Sequence, residues 1–181
     1  MKIKKIAIDP GHGGRDPGVI SGHYREKDIN LKLSAELFSR LLSTDYKPLL
    51  LRGGDLTINL ADRIQKARDW KADLYISLHH NGHNNVEARG TETYFYPDSK
   101  IGQKTARIMQ QKMINLLSLP DRGIKSSKRF YVLRCTPMPA VLLEPLFLTN
   151  SIDRNTVLSE NYPAKLAEVL VNSLDQLNKS I

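Results

Sequence analysis

Residues 6–18 read IAIDPGHGGRDPG: an apolar triplet, Ile6-Ala7-Ile8, stops at Asp9-Pro10 and runs into a histidine set among four glycines. With the MKIKK before it, this segment could pass for a secretory leader. A leader needs an apolar stretch of roughly 7–15 residues, and Asp9 ends this one too early. The segment reads instead as a first β-strand entering a tight turn, where glycine supplies backbone angles and close approaches closed to other residues. A histidine at such a strand end either faces a ligand or is an ordinary loop residue, and the rest of the chain must decide.

Outward from this strand, apolar runs alternate with helical periods. EKDINLKLSAELFSRLLS carries Ile29, Leu33, Leu37 and Leu41 at four-residue spacing, one face of a helix. YKPLLLR reads as a strand, and TINLADRIQKARDW as a helix with Thr57 as its N-cap. ADLYISLHHN and GTETYFYP follow as strands, then KIGQKTARIMQQKMINLLS as a helix. RFYVLR and PAVLLEPLF read as strands, and NYPAKLAEVLVNSLDQLNK as the closing helix. This alternation predicts a single α/β domain: a largely parallel or mixed twisted sheet of about six strands with helices on both faces.

Length and composition agree with one globular unit. The 181 residues fit one domain, and an apolar fraction of 40% with 25% charged residues excludes a disordered chain. A lone cysteine, Cys135, rules out an internal disulfide. No apolar run approaches the ~18 residues of a membrane span. The formal charge of +8 suits a polyanionic surrounding, either nucleic acid, anionic lipid or an anionic cell-wall polymer. The positive residues are scattered, so charge alone selects none of these.

Sheets of this kind place their chemistry where loops leave the carboxyl ends of strands. The ligand-capable residues at such ends are His12 after the first strand, His79 and His80 after ADLYISL, and Glu144 after Val141-Leu142-Leu143; Glu26 opens the first helix. Two histidines and a glutamate form one of the standard catalytic zinc sets, with a position left for water, and a second glutamate could act as base. Each has an ordinary role open to it as well. Glu26 could simply complement the helix dipole, and Glu144 could pair with an arginine. His79 and His80 leave a strand on opposite faces, so both are not expected to reach one metal.

The stretches IDPGHGGRDPG, YREKDINL, RGGDLTINLADRIQKA, ADLYISLHHNGH, GTETYFY, DRGIK and PAVLLEPLFLTNSID occur here in one order. In that order they resemble the zinc-dependent N-acetylmuramoyl-L-alanine amidases, the Amidase_3 family of cell-wall hydrolases. The resemblance implies Zn2+ held by His12, Glu26 and His79, with Glu144 as the catalytic acid–base. In SLHHN the serine and asparagine positions match His79 to the ligand, leaving His80 in a place that is commonly small. EPLF stands where the family has E-x-G-F, with Leu146 for glycine.

The implied reaction is hydrolysis of the amide between N-acetylmuramic acid and the L-alanine of the stem peptide, so the expected partner is peptidoglycan, with anionic wall polymers as a further contact. Asn81 and Arg134 are candidate donors to the oxyanion. A nucleic-acid partner is not expected, since no basic helix motif, RNP-type aromatic pair or cluster of acidic metal ligands is present. A non-catalytic wall-binding module is the rival reading. With no leader and no membrane anchor legible, the chain is expected to be made in the cytoplasm and to act on the wall after release or export, as an endolysin or autolysin catalytic domain spanning residues 1–181. Whether a wall-binding domain accompanies it is left open.

Overall fold

Residues 2–181 are described by the structure, a computed structural model. In chain order the elements are β1 (Lys5–Pro10), β2 (Ile20–Ser21), β3 (Tyr24–Arg25), α1 (Glu26–Leu42), β4 (Lys47–Leu50), α2 (Leu60–Asp69) and β5 (Leu74–Leu78). They continue with β6 (Thr91–Phe95), α3 (Lys100–Leu117), β7 (Asp121–Ser126), α4 (Tyr131–Cys135), β8 (Ala140–Glu144), α5 (Ser151–Leu158) and α6 (Tyr162–Ser180).

The six-stranded sheet runs in the order β4-β1-β5-β8-β6-β7. β1 pairs in parallel with β4 and β5, and β5 with β8. β6 is antiparallel to β8 and parallel to β7, so the sheet is mixed through one junction. The opening triplet shows why two helical layers are needed. Ile6 and Ile8 enter the larger core with Leu33, Leu37 and Leu41 of α1, while Ala7 between them enters a second core with Ala67 of α2 and Val132 of α4. α1, α3 and α6 cover the first face and α2 and α4 the second. The single α/β domain read from the alternation is therefore the observed one. Among the described residues no helix is long and apolar enough to cross a membrane.

Two local readings need correction. α2 is capped by Asn59, whose side chain accepts from the Asp62 N–H at 2.8 Å, and not by Thr57. The Thr57 hydroxyl instead accepts from the Arg15 N–H at 2.9 Å and fastens the glycine-rich turn. The RFYVLR run is not a strand. Its centre is the short helix α4, in which consecutive residues Val132 and Leu133 are both buried; so short an apolar run has no period to separate the two states. The edge strand is β7, in DRGIKS, where Ile124 is the one apolar residue and a register shift interrupts the pairing with β6. An edge strand with one apolar residue carries little hydrophobic signal. The β2–β3 hairpin and α5, capped by the Asn150 side chain, were likewise not anticipated.

The central parallel strands β1, β5 and β8 are neighbours, so their carboxyl ends open on one edge of the sheet. His12, His79 and Glu144 stand at those ends, and the first turn of α1 brings Glu26 across them.

Candidate metal centre and active site

His12 lies two residues past β1 with φ 63°, a left-handed backbone that a non-glycine residue rarely adopts. Arg63, buried on α2, holds it there. Its guanidinium donates to the carbonyls of Pro10 and His12 and to the Asp9 carboxylate, each at 2.6 Å. The turn also needs its glycines for space. A Cβ on Gly11 would lie 2.3 Å from the His79 ring, and one on Gly18 would lie 2.5 Å from the Glu26 carboxylate. The His12 ring is oriented by Asp16, whose carboxylate is 2.7 Å from Nδ1, leaving Nε2 3.0 Å from Glu26 Oε2.

Glu26 is the first residue of α1 and is buried to 2% exposure. Its Oε2 accepts from the Val19 N–H (2.9 Å), and its Oε1 from the His80 N–H (3.0 Å) and the Asn30 side-chain amide (3.1 Å). Oε1 also lies 3.0 Å from His79 Nδ1. Burial pushes this carboxyl up, but hydrogen bonds and charge from His12 and His79 outweigh it and hold Glu26 far below the usual carboxylate range. Burial likewise lowers His12, while Glu26 and then Asp16 carry it to about 8. His12, Glu26 and His79 each present a ligand atom, all within 4.8 Å of one another, and the two imidazole rings meet edge to face at 4.8 Å. Two imidazoles around a buried, anionic carboxylate are a donor set that fits Zn2+, and these are the three residues singled out from the sequence.

The adjacent histidines separate as strand geometry requires. His79 turns to Glu26. His80 turns into the core, 1% exposed, with Nδ1 2.7 Å from Asn30 Oδ1 and Nε2 2.7 Å from the Tyr162 hydroxyl. Burial lowers its pKa to about 4, so it is a neutral core residue.

Glu144 ends β8 and lines the same cleft. Its Oε2 is buried with no hydrogen-bond partner among the described residues. Burial, then the charges of Glu26 and Glu92, push its pKa well above the carboxylate range. Glu92 is its directly paired neighbour on β6 and behaves oppositely. Lys125 (2.6 Å) and Arg122 (2.7 Å) bond its Oε2, and the Tyr94 hydroxyl (2.6 Å) and the Asn81 amide (2.8 Å) donate to its Oε1. Burial raises Glu92, yet Lys125, Tyr94 and Arg122 prevail and bring it to about 2.

The two candidate oxyanion donors are placed differently. Asn81 lines the cleft, but its amide is engaged by Glu92. Arg134 lies outside the cleft lining, with its guanidinium over the Tyr131 ring. Asp16, Asn30, Arg63 and Glu92 were missed in the sequence. Asp16 and Asn30 had a readable signal, each four residues after a proposed ligand; Arg63 and Glu92 are joined to the site only by tertiary contacts. The cleft has a volume of about 810 Å³, and Val19, Ile58, Leu60, Phe130 and Tyr131 form apolar walls around the polar floor.

A family model described as N-acetylmuramoyl-L-alanine amidase matches residues 6–176, and the chain belongs to that family. It is 39% identical over 175 residues to YqiI, an uncharacterized protein of Bacillus subtilis (strain 168), covering 95% of this chain and 84% of that protein. It is 34% identical over 167 residues to the N-acetylmuramoyl-L-alanine amidase LytC of the same organism, covering 91% of this chain but 34% of LytC. The crystal structure of an N-acetylmuramoyl-L-alanine amidase from Clostridium difficile 630 superposes with a TM-score of 0.93 at 34% identity, covering 99% of each chain.

Proposed function

We propose that residues 1–181 form an amidase catalytic domain that hydrolyses the bond between N-acetylmuramic acid and L-alanine in peptidoglycan, with Zn2+ held by His12, Glu26 and His79. Glu144 carries the proton. When bound, zinc would supply positive charge that polarises the scissile carbonyl, makes water acidic enough to ionise near neutral pH, and offsets the burial and neighbouring charge that raise the Glu144 pKa. Glu144 takes a proton from the attacking water and returns it to the amine of L-alanine as the C–N bond breaks, the work of a general base turned general acid. Asp16 fixes the ring orientation of His12, and Asn30 with the Val19 N–H fixes Glu26, so the donor atoms are set before substrate arrives.

The observation that carries this reading is the Glu144 carboxyl: its Oε2 is buried and has no hydrogen-bond partner among the described residues, and the residue lines the same cleft as the His12–Glu26–His79 set. A binding module would gain nothing from so costly a group, because an unpaired buried carboxyl opposes folding. The positive charge of the chain is assigned to adsorption on an anionic wall. The test is mass spectrometry of purified cell walls digested with and without a chelator. New free L-alanine amino termini that vanish with chelator and return with zinc are expected; cleavage at another bond, or full activity in metal-free protein, would contradict the proposal.

A further inference from the structure

His80 has no part in the chemistry above, yet it is fully inside the protein and both ring nitrogens are engaged. The direction of its hydrogen bonds follows from the neighbours. The Asn30 amide nitrogen faces two acceptors, the Gly11 carbonyl at 3.3 Å and Glu26 Oε1 at 3.1 Å, so Asn30 Oδ1 must be the atom that faces His80. His80 Nδ1 therefore carries the proton and donates to Asn30. Nε2 is left as an acceptor, and the Tyr162 hydroxyl donates to it. The chain of donation runs one way: Tyr162 to His80, His80 to Asn30, Asn30 to Glu26. Asn30, His80 and Tyr162 are 0%, 1% and 3% exposed, so no bulk water substitutes for a missing member.

We propose that His80 is a positioning residue for the metal centre: through Asn30 it aims and polarises the Glu26 carboxylate, tying that ligand to the first turn of α6 at Tyr162. The inference rests on the reading of Glu26 as a zinc ligand. Every dipole in the relay points its positive end towards Glu26, and successive hydrogen bonds in a low-dielectric interior polarise one another. Without the His80 donor, Asn30 Oδ1 would be buried and unpaired. The Asn30 amide could then rotate, and Glu26 Oε1 would lose its side-chain donor, keeping only the backbone N–H of residue 80. Partners of this kind typically change metal affinity by 10–100-fold.

Core filling by His80 is the competing explanation, and two substitutions separate the roles. His80→Asn keeps an amide donor in the place of Nδ1 but packs poorly. His80→Leu fills the space with methyl groups and donates nothing. Zinc dissociation constants are measured by competition with a chromophoric chelator, and thermal unfolding is followed on the metal-free proteins. His80→Leu is expected to bind zinc about 10–100-fold more weakly than wild type. His80→Asn is expected to recover most of that loss while being the less stable of the two. Tyr162→Phe, which removes one oxygen atom, is expected to weaken zinc binding less than His80→Leu, and it carries the test should His80→Leu fail to fold. Wild-type zinc affinity in His80→Leu, affinity in His80→Leu no weaker than in His80→Asn, or unchanged affinity in Tyr162→Phe would overturn the relay. A wild-type protein that binds no zinc would overturn the metal reading itself, and the relay with it.

Discussion

The amino end of α1 and the carboxyl end of β8 each deliver a buried glutamate to one cleft, and they surround it in opposite ways. Glu26 receives donors from Val19, His80 and Asn30, faces two imidazoles, and is held ionised. Glu144 Oε2 has no donor among the described residues, and burial, then the charges of Glu26 and Glu92, push its pKa well above the usual value. The same side chain is thus prepared for two tasks by its surroundings. A carboxylate that stays anionic suits a cation. One whose pKa is raised by burial and by neighbouring negative charge suits proton transfer.

Removing the ionised member should have the largest effect. Glu26→Gln keeps the shape but deletes the charge that the two histidines and the Val19 and Asn30 donors were arranged around. It should lose zinc and all amide cleavage together, and zinc should raise the melting temperature of wild type but not of this variant. Metal content and unfolding with and without chelator check this. Stoichiometric zinc in Glu26→Gln would break the contrast at its Glu26 side.

A smaller effect is expected from the charge beside Glu144. Glu92 falls from an ordinary 4.5 to about 2 in the folded protein, so the unfolded chain binds the proton more readily. Its contribution is fully present above about pH 4.5 and is lost as pH falls towards 2. The loss is no more than about 3 kcal/mol, since Arg122 and Lys125 remain partly open to solvent. Unfolding free energies across this range, in chelator, should fall less steeply for Glu92→Gln than for wild type. Parallel curves would show that the Lys125–Arg122 pairing does not stabilise the folded state.

The mildest effect concerns charge far from the cleft. Raising salt should weaken adsorption to intact walls through screening while changing cleavage of a short soluble muropeptide far less. Sedimentation of wall-bound protein and product release from the two substrates measure the difference. Equal sensitivity would move the electrostatic effect into the cleft.

What could be read without coordinates follows from range. α1 and α6 were legible from their helical period, and β1, β5 and β8 from apolar stretches. The facing of His79 and His80 was legible because strand side chains alternate, and the rule still held just past the end of β5. α4 and β7 were not: the apolar run of RFYVLR fits either state, and β7 holds a single apolar residue. Thr57 and Asn59 are both good caps, and only the demand of Arg15 for an acceptor separates them. The surroundings of the two glutamates were the least legible part. Asn30, His80 and Tyr162 come from α1, the end of β5 and α6, and Glu92 reaches Glu144 only through the antiparallel β6–β8 register.

The contrast between the two glutamates is tested most directly by Glu144→Gln, assayed for bound zinc and for release of L-alanine amino groups. The substituted amide keeps the size of the side chain but cannot carry a proton near neutral pH. Wild-type zinc content and fold, with turnover reduced about 10²–10⁴-fold, is the predicted result. Near-normal cleavage by this variant, or loss of its zinc, would contradict the assignment of Glu144 as the proton carrier beside a separate metal centre.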